Sequence, residues 1–288
     1  MYTRRERGTA FPSPWEAFGM AKTKSGCGPA ADAADPAGAD AADGAAESAA
    51  RDAQAVPTIW ERIDVPRGTR TSLSHERIAE AAIALADAEG LDAVSMRKLA
   101  ESLGVATMAL YRYVNSKDEL LELMTDAVGT ASELVADPND WRAVFREAAR
   151  RRRDTTLAHP WLPAAQAQVP TSLTPNRNLA LERMLAALEP LSLTGDQKMR
   201  LIRALDSYAR GATDGEVNQR TMLERRGYGA DGDVRLLLRS NMQWLLRSGR
   251  YPLFSQLVLE GLAPVDAEAE FELGLEAMLD GLAARFGI

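Results

Sequence analysis

The stretch "SMRKLAESLGVATMALYRYV", residues 95–114, has the spacing of a helix-turn-helix: a short helix, a turn containing glycine, and a second short helix. Ser95 stands where an N-cap is needed, and Gly104 stands where the first helix must stop. Leu99, Ala100 and Leu103 give the first helix an inward face, and Val105 fills the turn. Leu110 and Val114, four apart, give the second helix its inward face. Thr107, Met108, Tyr111 and Arg112 then point outward or sideways. That face carries aromatics and cations where a surface helix ordinarily carries Glu and Lys. A Tyr or Arg near the start of such a helix reaches base edges or phosphates in a major groove. Tyr111 and Tyr113 are two apart and cannot share one helix face. Tyr111 reads as a DNA contact, as a half-buried brace between helices, or as both. Tyr113 reads as a phosphate contact in preference to a core residue. Arg97 is a base or phosphate contact, its alternative being a solvated surface charge.

The same local chemistry extends outward from this motif. In "LSHERIAEAAIALADAEG", residues 73–90, Ser74 is an N-cap, Glu76 lies in the first turn, and Gly90 ends the helix. Ile78, Ala81, Ala82, Leu85 and Ala88 are expected to form its apolar face. "SKDE", residues 116–119, is a capping box that opens the helix "LLELMTDAVG". Asp137-Pro138 and Thr174-Pro175 each offer an N-cap followed by proline at the first helical position. "TGDQ" at 194–197 is a second capping box, and Asp231 and Asp266 are weaker starts. No run alternates with a strand period. The expected fold is therefore all-α, with about nine or ten helices after residue 73: an N-terminal three-helix helix-turn-helix domain over 61–120, then a larger C-terminal helical bundle over 121–288.

Residues 1–60 differ from the rest. Within them "GPAADAADPAGADAADGAAESAARDA", residues 28–53, is Ala, Asp, Gly and Pro with almost no large apolar side chain, and Pro29, Pro36, Gly38 and Gly44 interrupt any helix. Such a segment buries too little surface to offset chain entropy, so a disordered tail is expected. Met20 is an alternative start. The whole chain has 288 residues and a formal charge of −7, which excludes a general polycation and confines any nucleic-acid contact to a local patch. Over 61–117 acids and bases balance, but "VPRGTR", residues 65–70, stands as a basic arm toward the backbone or minor groove. Cys27 is the single cysteine, so no disulfide forms within the chain. No apolar run approaches the length of a membrane helix and no signal segment is visible, so the expected location is the cytoplasm without membrane contact.

In Arg97-Lys98-Leu99-Ala100, Leu103-Gly104-Val105, Leu110-Tyr111-Arg112-Tyr113-Val114, Lys117 and "LLELM", the sequence resembles the TetR family of transcriptional repressors. The resemblance is specific over 73–130, looser over 137–288, and does not reach 1–60. It implies a head that binds DNA as a homodimer and a C-terminal domain in which a small molecule releases it. It places Arg97, Thr107, Met108, Ala109, Tyr111, Arg112 and Tyr113 at the DNA contact, and Lys117 at a phosphate. Met108-Ala109 replaces the more polar pair common there, which shifts base readout toward Arg97 and apolar contact with thymine methyls.

Two C-terminal helices carry double stripes. Phe271, Leu275, Met278 and Leu282 form a large apolar stripe beside a small one of Gly274, Ala277, Gly281 and Ala284. Leu201, Leu205, Tyr208 and Ala212 likewise run beside Ala204, Ser207, Gly211 and Gly215. Glycine in a helix costs up to ~1 kcal/mol, which close approach of another helix would explain. The small stripes are therefore expected at a dimer interface, the alternative being tight packing within one subunit. Trp141, Trp161, Met184, Tyr208 and Met242, with Met222 and Trp244, are candidates to line a ligand cavity, though most such residues serve as core. "RRRR" at 150–153 reads as a solvated face, His75 as a first-turn surface residue, and His159 as a helix end. No cluster of ligating residues points to a metal or cofactor, and no nucleophile or phosphate-loop motif points to an enzyme. The reading is a repressor that leaves a palindromic DNA operator when an unknown small molecule binds. The alternatives are a ligand-responsive activator, or a helical ligand-binding protein whose DNA head is non-functional.

Overall fold

The computed structural model describes residues 57–64, 73–129, 136–169, 173–229, 232–261 and 265–288. Of the tail expected over 1–60, residues 1–56 with Cys27 lie outside them, as do the basic arm at 65–70 and Asp231; residues 57–60 instead lead into a helix, because Ile59 finds a buried position. Among the described residues the regular structure is entirely helical. The first helix, α1 (Ile59–Asp64), is anchored locally: Glu61 accepts the Thr58 N–H at 2.7 Å, and Arg62 donates to the Pro57 carbonyl at 2.8 Å.

The head follows as α2 (His75–Glu89), a 3-10 turn (Leu91–Ala93), α3 (Met96–Leu103), α4 (Thr107–Leu110) and α5 (Lys117–Ala127). Its caps are those the sequence specifies. Ser74, Ser95 and Ser116 accept the N–H groups of Arg77, Lys98 and Glu119 at 3.2, 3.3 and 3.1 Å. The Glu119 carboxylate reaches back as far as the Asn115 N–H, at 2.7 Å. Ile78, Ala79, Ala82 and Ala86 of α2 are buried with Leu99, Leu110, Leu120, Leu121 and Met124. The buried face of α2 is thus rotated from the expected one; Ala88 is exposed, because Ala86 takes the inward position one half-turn earlier. The boundary expected after residue 120 falls inside α5, whose buried Leu120, Leu121, Leu123 and Met124 make it one continuous packing unit.

The remaining helices are α6 (Trp141–Ala158), α7 (Leu162–Gln168), α8 (Pro175–Leu188), α9 (Gly195–Arg225), α10 (Val234–Ser248), α11 (Pro252–Glu260) and α12 (Ala267–Phe286). Eleven helices thus follow residue 73 among the described residues, because the short α7 and α11 are set off by prolines in their first turns. Thr194 and Gln197 form the expected capping box, and Asp266 caps α12 through the Ala269 N–H at 3.0 Å. Two expected starts move. Asp137 instead accepts the Asn139 N–H at 2.9 Å in a turn, and Asp140 caps α6 through Ala143 at 3.0 Å. Asp233 caps α10.

A single core joins α6, α8, α9 and α12 through Phe145, Leu188, Leu201, Leu205, Phe271, Leu275 and Leu279. Alongside it, arginines at four-residue spacing on α6 meet acids at four-residue spacing on α12. Arg142 bonds Asp280 at 2.8 Å, Arg146 Nη2 bonds Glu276 at 2.8 Å, and Arg150 Nη2 bonds Glu272 at 2.7 Å. The run 150–153 is therefore no solvated face. Its four side chains leave the helix about 100° apart and each finds a different partner. Arg151 pairs with Glu147, Arg152 bonds Gln166 at 3.0 Å, and Arg153 makes a two-pronged bond to Glu216 at 3.1 Å on each prong. The Arg153–Glu216 pair is nearly enclosed, with 12% and 8% of the two side chains exposed, and Arg153 lies over the Phe271 ring.

The guanidinium of Arg150 holds the Glu272 carboxyl below the ordinary carboxylate range, and that of Arg146 does the same for Glu276. A folded carboxyl with a lowered pKa adds stability above its unfolded value, and that stability is lost as pH falls through the folded value. We predict that Glu272→Gln with Glu276→Gln lowers stability at pH 7 by about 1 kcal/mol, two such partly exposed pairs being worth ~0.2–1 kcal/mol each. The unfolding midpoints of variant and wild type should converge as pH drops below the ordinary carboxylate range. Thermal unfolding followed by circular dichroism across that range checks both statements.

Candidate nucleic-acid interface and effector cavity

The turn between α3 and α4 is closed by backbone chemistry. Gly104 adopts φ 68°, a left-handed conformation in which a Cβ would be strained. Its N–H donates to Glu101 at 3.1 Å, and the Val105 N–H donates to Ala100 at 3.0 Å. This pair of reversed bonds ends α3 sharply and aims α4 away from it. α4 itself is one turn long, and residues 111–113 continue as turn rather than helix. Met108 is 74% exposed and Tyr111 43% exposed, while Leu110 and Val114 are fully buried beneath them. Arg97, Arg112 and Lys117 are exposed, and Thr107 and Ala109 are half-buried.

The two tyrosines have different surroundings. Tyr113 is half-buried, edge-on to His75 with ring centroids 5.3 Å apart, and His75 Nε2 lies 3.2 Å from the Tyr113 carbonyl. His75 is thus a brace from the start of α2 rather than a plain surface residue. Tyr111 projects into solvent. Every candidate in the head except Tyr113 owes its position to a short backbone segment; Tyr113 owes its own to a contact 38 residues away.

A cavity of about 420 Å³ lies deeper in the chain, walled by the end of α5 and by α6, α7, α8 and α9. Val128, Leu162, Leu181, Met184, Met199 and Ile202 supply apolar wall. Arg151, Arg152, Gln166, Asn176, Arg203, Asp206 and Arg210 supply polar wall. Among the five residues expected to line a pocket, Met184 alone does so. Trp141 is core, edge-on to Phe145 at 5.5 Å. Trp161 is buried and donates to Asp87 at 2.6 Å. Tyr208 donates to the Phe271 carbonyl at 2.6 Å, fastening α9 to α12. Met242 is half-buried on α10, Trp244 is exposed on the same helix, and Met222 is exposed near the end of α9. The expected lining residues are large aromatic and sulfur side chains, and size favours core; the polar wall has a sequence signal only in the arginine run.

Two hydrogen-bonded joints connect the head to the cavity wall. Asp126, at the end of α5, accepts the Asn176 backbone N–H at 2.7 Å, and the Asn176 amide donates to the Asp126 carbonyl at 3.0 Å. Asp87, on α2, accepts Trp161 Nε1 at 2.6 Å and stands 2.9 Å from His159 Nδ1. Sequence reading missed all of these, because each joins residues 50 or more positions apart.

The small stripes also have a definite setting. Ser207, Gly211, Gly215, Ala277, Gly281 and Ala284 are exposed, Ala204 is half-buried, and a Cβ at Gly211, Gly215 or Gly281 would meet open space. Gly274 differs: a Cβ there would run into the Tyr208 ring of its own chain. Leu273, 73% exposed, lies beside Ala277 on the open face of α12, and Leu253 and Leu259 of α11 are 80% and 82% exposed.

Comparison with known proteins matches both parts of this arrangement. The profile for bacterial regulatory proteins of the tetR family matches residues 78–124, and the profile for the tetracyclin repressor-like C-terminal domain matches 135–286. The transcriptional repressor DrrR1 of Streptomyces coeruleorubidus is 36% identical over 233 residues, covering 80% of this chain and 85% of that protein. A transcriptional regulator of Saccharopolyspora erythraea is 28% identical over 234 residues, 80% of this chain and 93% of that one. The structure of the Streptomyces coelicolor TetR family protein ActR in complex with actinorhodin aligns with a TM-score of 0.59 and 31% identity, over 75% of this chain and 99% of that one. The chain belongs to the TetR family of bacterial transcriptional regulators, with a DNA-binding head and a C-terminal regulatory domain. No described helix is long and apolar enough to cross a membrane.

We predict that Arg97→Ala weakens specific binding by ~1–3 kcal/mol and relaxes preference at one base pair of each half-site. Met108→Ala should lower affinity without lowering the stability of the head, since Met108 touches mostly solvent. Tyr113→Ala should lower both, since it removes the His75 contact. Fluorescence anisotropy on an operator selected from random-sequence DNA, paired with thermal unfolding, separates the three.

Proposed function

We propose that the chain is a non-catalytic, cytoplasmic repressor that holds a palindromic operator as a homodimer and leaves it when a small molecule fills the cavity between α5 and α9. The domains are a low-complexity tail, a head reaching through α5, and an effector and dimerisation domain beyond it. Arg97, Thr107, Met108, Ala109, Tyr111, Arg112 and Tyr113 meet the major groove and its phosphates, and Lys117 meets a phosphate at the start of α5. One observation carries the effector reading: Asp126 ends the last helix of the head and bonds Asn176 in the first turn of α8, and Asn176 itself lines the cavity. An occupant that displaces α8 therefore pulls on the head directly. It shifts the population of head orientations by its differential affinity for them. The relatives support the same reading: DrrR1 is a repressor, and ActR is a TetR-family protein solved with a small molecule bound.

Dimerisation is read from the open faces of α9 and α12, which present Ala204, Ser207, Gly211, Gly215, Ala277, Gly281 and Ala284 with Leu273 among them. Small residues with nothing above them allow a second helix pair to approach closely, and two heads then reach half-sites one helical turn apart.

Asp126→Ala should lower operator affinity at least fivefold while sedimentation still shows the wild-type assembly; unchanged affinity would remove the joint from the coupling route. Gly281→Leu should shift the protein toward monomer with near-normal helical circular dichroism, overpacking of a close contact costing ~1–3 kcal/mol. Gly274→Ala should instead lower the unfolding midpoint of the chain itself by displacing Tyr208. A dimeric, operator-competent Gly281→Leu protein would take that face out of the interface.

A further inference from the structure

The cavity wall is electrically lopsided. Arg151, Arg152, Arg177, Arg203 and Arg210 line it, and Asp206 is the one acidic side chain among the described lining residues. Arg151 is answered by Glu147 on its own helix. Asp206 is shared between Arg152 at 3.8 Å and Arg210 at 3.5 Å. Both separations are well beyond the ~2.7–2.9 Å of a good charge-assisted bond, so one carboxylate satisfies neither guanidinium closely. Arg152 is the more confined of the two. One of its Nη groups bonds Gln166 at 3.0 Å, while its Nε–H is buried with no hydrogen-bond partner. Around it stand Asp206 and Asp214 on the negative side and Arg177 and Arg210 on the positive side, and burial pushes the guanidinium pKa down. The side chain keeps 21% of its surface open, and its Nη1 has only the Asp206 carboxylate at 3.8 Å, so a ligand oxygen in the cavity can supply the close acceptor that this charged group lacks. The rest of the wall carries Thr125, Thr155, Gln166, Thr174, Asn176 and Asn178, but apolar surface predominates over it, which suits a largely apolar ring body.

We propose that the effector is an apolar, multi-ring small molecule bearing a carboxylate, and that Arg152 is the residue that binds this carboxylate. Arg203 and Arg210 supply the surrounding positive field. The inference rests on the reading of the cavity as the effector site.

Isothermal titration of the full chain with anthraquinone-2-carboxylate and with anthraquinone-2-carboxamide, which share one ring body, tests it. The carboxylate should bind wild type at least tenfold more tightly than the carboxamide. Arg152→Gln, which retains a hydrogen-bonding side chain beside Gln166, should bring that ratio close to one while carboxamide affinity changes by less than about twofold. Arg203→Gln, at an exposed wall position where folding is not at stake, should reduce the ratio by a smaller factor. Ala180→Trp, which fills the cavity, should abolish binding of both. Equal binding of the two compounds to wild type, or a preference that survives Arg152→Gln, overturns the charge assignment. If both bind equally and Ala180→Trp abolishes both, the effector cavity stands and its anionic ligand falls. A carboxylate preference that persists in Ala180→Trp places binding elsewhere and overturns the cavity reading itself. Failure of both compounds to bind wild type overturns the proposed ligand class.

Discussion

Four consecutive arginines on one helix must send their side chains in four directions, and a guanidinium cannot be buried without an answering acceptor. This constraint organises the C-terminal domain. Arg150 ties α6 to α12 through Glu272, Arg151 is held along α6 by Glu147, Arg152 turns into the cavity, and Arg153 ties α6 to α9 through Glu216. The core of Phe145, Leu201, Leu205, Phe271 and Leu275 sets which face of α6 is turned inward, since rolling the helix would expose that apolar face. The arginines add directional contacts on the faces that the core leaves free. With α6 fixed, the cavity has a wall of defined polarity, and α7 is held where Trp161 reaches Asp87 of the head.

The head was legible in the sequence because its structure is local. Ser74, Ser95 and Ser116 cap the helices they were expected to cap, and Gly104 takes the conformation that only glycine adopts without strain. Leu99, Leu110 and Val114 are buried as their spacing requires. The length of the second helix was overread. The pattern "TMALYRYV" continues a helical period through residue 114, but the helix stops at Leu110 and a turn carries the two tyrosines apart. A turn of αR-like residues keeps nearly the same side-chain period as a helix, so spacing does not separate the two.

The cavity was much less legible, and the reason is physical. Its distinguishing residues are polar ones drawn from α5 through α9, brought together by folding across tens of positions. Apolar periodicity reports which face of a helix is buried, not whether what it faces is core or space. Trp141 and Met184 carry the same hydrophobic signal; one packs on Phe145 and the other borders a void. The arginine run was visible, but a charge cluster in sequence is ordinarily a solvated face, and only the acids placed opposite it in space make it a set of joints. The small stripes fall between these cases: their exposure followed from spacing, whereas the Tyr208 contact at Gly274 did not.

The ladder between α6 and α12 also ties the molecule to ionic strength in two ways at once. Binding to DNA releases counterions and weakens steeply as salt rises. The outer rung, where Asp280 is 71% exposed opposite Arg142, is screened over the same range, with a Debye length of ~8–10 Å near physiological salt. The separate pair of Arg153 with Glu216, between α6 and α9, is enclosed and scarcely feels it. Salt therefore softens the regulatory domain from its rim inward while it loosens the grip of the head. A salt series of operator affinity on this protein carries a conformational component beside the phosphate count.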